Sequence, residues 1–251
     1  MDSKERFSNR VDMYVKYRPS YPAEAIAYLY ETVGFRTDCD VADIGAGTGI
    51  FSRLLAEKGT RVIAVEPNRA MRAAAEQALG ALPNFRALEG AAEETGLPDQ
   101  SVDFIVCAQS FHWFDRQAAQ KEFRRILKPG GKTVLIWNTR LTEGAPFLEQ
   151  YDQLLKEFAT DYEKVNHKNI TRETLVPFFK DGKMHEAKFG NFQLFHFEEL
   201  KGRTLSSSYV PLPGHPNYEP MLARLRELFD RTQQGGTVRF EYVTELFWGE
   251  V

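Results

Sequence analysis

The run Val41-Ala42-Asp43-Ile44-Gly45-Ala46-Gly47-Thr48-Gly49 sets an apolar, acid-bearing segment directly before a turn with glycine at every second position. A helical pattern, Ile50 to Glu57, follows it. Arg61-Val62-Ile63-Ala64-Val65-Glu66 then reads as a second strand that ends on a carboxylate. Strand, glycine turn, helix, strand and terminal acid make a βαβ nucleotide-binding unit. The glycines let the backbone approach a ligand closely and reach positive φ where the turn needs it. Glu66 falls where a ribose diol requires an acceptor of hydrogen bonds.

Spacing narrows the nucleotide. A dinucleotide site needs G-x-G-x-x-G, so that a pyrophosphate sits on a helix N-terminus. Counted from Gly45, the third glycine is due at Ile50. Counted from Gly47, it is due at Ser52. A phosphate-binding P-loop needs a lysine that this turn lacks. What stands here is an acid followed by G-x-G-x-G. On Asp43, the three glycines and Glu66, the chain resembles the class I S-adenosylmethionine (SAM) dependent methyltransferases. Within them it looks most like the small-molecule group that acts on trans-aconitate and on ubiquinone precursors. The resemblance implies SAM as cofactor, its amino-acid part held by Asp43, Gly45, Ala46, Gly47 and Thr48 and its ribose by Glu66. It implies methyl transfer to a small-molecule acceptor, with a carboxylate, a phenol and an activated carbon as the open choices. The rival reading is a protein that holds SAM or its demethylated product without turnover. An NAD-dependent oxidoreductase fails on glycine spacing.

The rest of the chain bounds this reading. Its 251 residues are 43% hydrophobic and 27% charged, enough for a packed core. A net charge of −3 argues against a nucleic-acid partner. Cys39 and Cys107 lie in apolar runs and read as small buried hydrophobes in a reducing compartment. No Cys/His spacing suggests a metal. No run of 18 apolar residues occurs, and MDSKERF has no apolar signal region, so the expectation is a cytoplasmic protein without a membrane partner. The oligomeric state stays open.

Strands are expected at 40–44, 61–66, 84–88, 102–108 and 132–138, with helices at 49–58, 68–79 and 115–127 between them. Another helix is expected from Ala23 to Thr32. The turn Lys128-Pro129-Gly130-Gly131 should lead into the fifth strand. Alternation of strand and helix predicts a parallel sheet covered on both faces. Two later alternating runs, Lys188–Phe197 and Thr237–Phe247, suit an antiparallel finish. With the resemblance, this gives an α/β, Rossmann-like, doubly wound sheet of seven strands, mostly parallel, whose last strand is antiparallel. The whole of 1–251 is read as one domain. Residues 1–22 form an arm over the cofactor. The helical insertions 140–187 and 198–234 form a lid.

Ligands sit at the carboxyl ends of such strands, where strand order reverses. That puts Gln109, Ser110, Phe111, His112 and Trp113, after the fourth strand, at the site. Trp113 or Phe111 offers a ring face to a sulfonium cation. His112 is the titratable residue placed for catalysis. Whether it is a base or a binding group is open. His167, His185, His196 and His215 are scattered and show no partner pattern. Pro67 and Met71 follow Glu66, with Met71 one helical turn on, placed to pack on adenine. Ala91 and Ala92 stand where relatives contact adenine, and here only their backbone can do so, with Glu93 as a solvated helix start. In the arm, Tyr14 and Arg18 are assigned to the cofactor, since a guanidinium fork matches its carboxylate.

Overall fold

Five runs become parallel strands, with both faces buried in the inner four and only partly so in the third, Phe85–Leu88, at the sheet edge. They are β1 (Asp40–Ile44), β2 (Arg61–Val65), β3 (Phe85–Leu88), β4 (Val102–Ala108) and β5 (Leu127–Arg140). The computed structural model describes residues 11–160, 162 and 171–251. Its sheet has the order β3-β2-β1-β4-β5-β7-β6, where β6 is His185–Phe195 and β7 is Val238–Gly249. Strand β7 runs antiparallel to both β5 and β6, and β1, β2, β3, β4 and β5 are mutually parallel. This is the expected α/β, doubly wound sheet with an antiparallel last strand.

Side-chain alternation assigns the two faces. Val41, Val62, Ala64, Phe104 and Val106 pack with α2 (Ala23–Tyr28), α3 (Ile50–Ala56) and α4 (Arg69–Leu79). Ala42, Ile44, Ile63, Val65, Ile105 and Cys107 face the other way, onto Ala119, Phe123 and Ile126 of α5 (Arg116–Ile126). A third apolar cluster joins α6 (Pro146–Phe158), α8 (Phe197–Leu205) and α9 (Tyr218–Thr232) to the far end of β7. Strand order reverses between β1 and β4, so the carboxyl ends of those two strands diverge and leave a crevice.

Four expected elements come out differently. The fifth strand begins earlier, because Leu127 already pairs with Val102 before the chain reaches Lys132 opposite Phe104. Lys128-Pro129-Gly130-Gly131 is thus an excursion within a strand, and not a turn that precedes one. The helix expected over Ala23–Thr32 widens after Tyr28 into a π-turn, Leu29–Val33, in which Gly34 N donates to Leu29 O at 3.0 Å. Within the expected helical insertion 140–187, the stretch after Thr171 gives only the short α7 (Arg172–Leu175), followed by a 3-10 turn, Val176–Phe178, in which Pro177 has no N–H to donate. No helix starts at Glu93, where a tight turn pairs Ala91 with Glu94.

The arm enters as α1 (Val11–Tyr17), packed on α8. The Tyr17 ring occupies the space a Cβ on Gly202 would need. Arg18 Nη2 donates to Ser206 O at 3.0 Å, so the arm is fastened to the end of α8. The side chain of Tyr14 and all of His167 lie outside the described residues. Among the described residues, no helix is long and apolar enough to cross a membrane.

Candidate active site

The glycine turn folds as its sequence demands. Gly45, Gly47 and Gly49 have φ of 70°, 57° and 79°, the left-handed region that other residues avoid. A Cβ on Gly45 would lie 2.6 Å from Ser110 Cβ, and one on Gly49 2.9 Å from Leu79, so packing also excludes side chains there. Gly47 differs. A Cβ there would make one ordinary contact, with Met71 Sδ at 3.8 Å.

Glu66 closes the turn from the next strand. Its Oε2 accepts from Gly47 N and its Oε1 from Asn68 N, each at 2.8 Å. Burial raises its pKa, and those two amides oppose the rise. Each carboxylate oxygen keeps a second lone pair for a ligand. Asn68 also caps α4 by accepting from Met71 N at 3.0 Å, which holds Pro67 and Met71 along the rim.

Asp43 lies beneath the turn and does not line the cavity. Its Oδ2 accepts from the Ser52 hydroxyl at 2.6 Å, while Oδ1 is sealed without a hydrogen-bond partner among the described residues. Burial, with a further push from the Glu66 charge, raises this carboxyl to about 7. The folded protein therefore holds a proton that the unfolded chain gives up near pH 4, and stability should fall as pH rises from about 4 to 7. Asp43→Asn keeps a partner for Ser52 and cannot ionise. Its stability relative to the parent should grow by roughly 2–3 kcal/mol between pH 5 and 8 in denaturant melts. Parallel pH profiles for the two proteins would show that Asp43 does not titrate as described.

The crevice is a cavity of about 240 Å³. Sheet order gives it two sides. On the side of β1, β2 and β3 lie Gly45, Ala46, Gly47, Thr48, Glu66, Pro67, Met71, Ala91 and Ala92. The loop bearing the two alanines is held from below. Thr95 N and Oγ1 donate to Glu122 at 2.8 and 2.6 Å, and the Arg125 guanidinium keeps that carboxylate ionised, with a pKa of about 2. Glu93 is no solvated helix start. It lines the cavity, and its Oε1 accepts from Asp115 N at 2.9 Å.

On the side of β4 and β5 lie Gln109, with a φ of 62°, Ser110, His112 and Trp113. His112 Nδ1 accepts a long bond, 3.5 Å, from the Trp137 indole. An indole N–H only donates, so Nδ1 presents its lone pair there and Nε2 carries the proton. Phe111 does not face the cavity. It is fully buried, with its ring 4.7 Å from that of Phe178, because the 3-10 turn Phe111–Trp113 rotates it into the core. Of the two rings offered for a cation, Trp113 lines the cavity.

The cavity also gathers residues that sequence reasoning missed: Asn68, Asn138, Arg140, Tyr162, Arg203, Ser208 and Tyr209. Arg18 lines it beside them. Asn138 accepts from Thr244 at 2.5 Å and donates to Ser20 O at 3.1 Å, tying β5 to β7 and to the arm. Arg140 pairs with Asp152 at 2.6 Å. Asn68 had a local signal, as the cap of α4 two residues after Glu66; no local pattern marked the others, which meet only when β7 and α8 fold back over the carboxyl edge. His185, His196 and His215 do not line the cavity.

The residues fit SAM on three grounds. A ribose acceptor pair stands at Glu66. A backbone cradle is open at Gly47. The Thr48 hydroxyl is buried with no hydrogen-bond partner among the described residues, on the wall where a carboxylate would accept from it. Among the described residues, no group of His, Cys, Asp and Glu is placed to hold a metal ion.

The methyltransferase-domain family matches residues 42–135, which run from β1 into β5. An uncharacterized methyltransferase of Mycobacterium tuberculosis is 43% identical over 139 residues, 55% of this chain and 54% of that one. The chain thus spans about half the length of these mycobacterial relatives. An uncharacterized methyltransferase-like protein of Schizosaccharomyces pombe is 30% identical over 248 residues, 97% of this chain and 94% of that one. A solved structure from Anaeromyxobacter dehalogenans, assigned as a type II methyltransferase, has the same fold, with a TM-score of 0.67 and 22% identity over 93% of this chain and 98% of that one. The seven-stranded order, the glycine turn with its acid, and full-length likeness to the fission-yeast protein agree, and the chain belongs to the class I SAM-dependent methyltransferases.

Proposed function

We propose that this protein transfers the methyl group of SAM to a small-molecule acceptor that reacts without giving up a proton to a protein base. The observation that carries this is the bond from Trp137 to His112 Nδ1 at 3.5 Å. With that lone pair engaged, His112 presents no basic nitrogen to take a proton from the acceptor. Its role is to orient an acceptor oxygen. Of the two acceptor groups the sequence resembles, small acids fit this better than quinone precursors, because an ionised oxygen needs no deprotonation.

When bound, SAM supplies a methyl group already activated by its sulfonium. The chain's own contribution is position. Gly45 to Thr48 hold the amino-acid part, Glu66 holds the ribose, Trp113 presents a ring at the β4 edge, and the arm and α8 add Arg18 and Arg203 to the cavity wall. Effective molarity from such positioning contributes on the order of 7–11 kcal/mol in well-oriented systems. A cavity of about 240 Å³, lined in part from the arm and α8, suits a small acceptor better than a macromolecular one. Tyr14 remains assigned with Arg18 to the cofactor, as part of this proposal.

The test is transfer of labelled methyl from SAM to a panel of small acids, phenols and carbon nucleophiles, with pH profiles for the parent and His112→Asn. The expected result is that the variant raises KM about tenfold, keeps kcat within about threefold and leaves the shape of the profile unchanged. Loss of an acidic limb together with a large fall in kcat would make His112 a general base. SAM binding with no transfer to any acceptor would favour a protein that holds the nucleoside without turnover.

A further inference from the structure

Two arginines enter the cavity from the antiparallel half of the sheet, and their charges are treated differently. Arg140 is matched by Asp152, which also takes Lys156 at 2.8 Å and the Tyr162 hydroxyl at 2.7 Å. Arg203 has no such match. It is 6% exposed, and among the described residues no carboxylate lies within ion-pair distance of it. Its Nε donates to the Tyr242 hydroxyl at 3.1 Å and its Nη1 to the Ser207 hydroxyl at 3.1 Å, both neutral partners. Its guanidinium lies 5.3 Å from the ring centre of Phe240 and 5.9 Å from that of Tyr242. Nη2 makes no hydrogen bond among the described residues, and Arg203 lines the cavity.

A buried cation without a counter-ion is costly, since a charge taken from water needs pairing and hydrogen bonding. Aromatic faces offset part of that cost. Neutral hydroxyls at Nε and Nη1 leave the full positive charge on the cavity wall. They also fix the guanidinium plane, so that Nη2 is held ready for a partner. Arg18 also lines this cavity, from the arm, and is assigned to the carboxylate of the cofactor. That leaves Arg203 as the cation for a second anion.

We propose that Arg203 selects the acceptor by receiving a carboxylate group of it at Nη2. The inference rests on the methyltransferase reading above and names the class of molecule it would take, a small carboxylic acid. The Arg203 guanidinium, held at Nε and Nη1, has Nη2 left to meet one carboxylate oxygen. A neutral amide of the same shape would leave the guanidinium unmatched. A charge-assisted bond of this kind carries roughly tenfold to hundredfold in affinity.

The experiment is calorimetry on the full chain in three steps. First, S-adenosylhomocysteine is titrated alone. Failure of the parent protein to bind it would defeat the methyltransferase reading itself, and this proposal with it. Second, to the saturated complex are added acid and amide pairs, benzoate with benzamide and succinate with succinamide, and inorganic phosphate. At least one acid should bind about tenfold or more tightly than its amide and more tightly than phosphate. Third, the titrations are repeated with Arg203→Met and Arg203→Lys. The methionine variant should bring acid and amide to within about twofold of each other while S-adenosylhomocysteine affinity changes by less than about twofold. The lysine variant should keep a preference for the acid. An acid preference absent from the parent, or retained by Arg203→Met, would overturn the proposal, and tighter binding of phosphate would do the same. A loss of S-adenosylhomocysteine affinity in Arg203→Met equal to its loss of acid affinity would overturn it by assigning Arg203 to the cofactor. If the methionine variant does not fold, the parent and Arg203→Lys still decide. Loss of acid preference in Arg203→Lys would then count against a charge-based role.

Discussion

Gly47→Val should fold and yet bind no measurable SAM. Two physical terms act together at this position. The residue sits at a φ of 57°, where a β-branched side chain is strained by roughly 1–3 kcal/mol. The new side chain would also project into the cavity, since a Cβ there meets nothing nearer than Met71 Sδ at 3.8 Å. Strain of that size lowers the melting temperature by several degrees without unfolding a domain with this much buried core. Occupied space, by contrast, cannot be shared with a ligand. Gly45→Val separates the two terms. Its Cβ would lie 2.6 Å from Ser110 Cβ, so it should fail through the fold and not through the cavity. Calorimetric titration with SAM, alongside a thermal melt, checks both. Tight binding by a folded Gly47→Val protein would show that the ligand does not lie against this turn.

What the sequence made legible is local. The β1 turn could be read because its glycines, its acid and the terminal acid of β2 all lie within a span of 24 residues, from Asp43 to Glu66. The strands up to β5 could be read because buried parallel strands are continuous apolar runs. The fifth strand shows the limit. The turn chemistry of Lys128-Pro129-Gly130-Gly131 is correct, but whether Leu127 is already paired depends on Val102, on another strand. Phe111 and Trp113 pose the same difficulty at smaller scale. Both are aromatic residues after β4, and only the turn geometry decides that Phe111 enters the core and Trp113 the cavity. Asp43 was legible as the acid of the motif, yet its side chain points beneath the turn toward Ser52. Arg140 and Arg203 were not legible at all. One lies at the end of β5 and the other in α8, and the antiparallel pairing of β7 brings their elements together.

We assign the ribose of SAM in this cavity to Glu66. Its carboxylate is preorganised by Gly47 N and Asn68 N, each at 2.8 Å. A preset acceptor loses little freedom when a diol arrives, and two charge-assisted bonds at roughly 1.5–3 kcal/mol each give an effect of about a hundredfold or more. Glu66→Gln changes little in shape, but it removes the charge and replaces one acceptor oxygen with a donor. S-adenosylhomocysteine should therefore bind Glu66→Gln at least about a hundredfold more weakly than the parent, and NADH should bind neither protein. A general loss of structure would weaken every nucleoside alike, so the diol must be varied as well as the acid. The deciding measurement is a double-mutant cycle by calorimetry. It pairs the parent and Glu66→Gln with S-adenosylhomocysteine and with its 2′-deoxy analogue. If Glu66 holds the diol, removing the 2′-hydroxyl should cost the parent much and the variant little, with a coupling of about 1.5 kcal/mol or more. Equal losses in both proteins, with no coupling, would place the ribose elsewhere and contradict this assignment of the site.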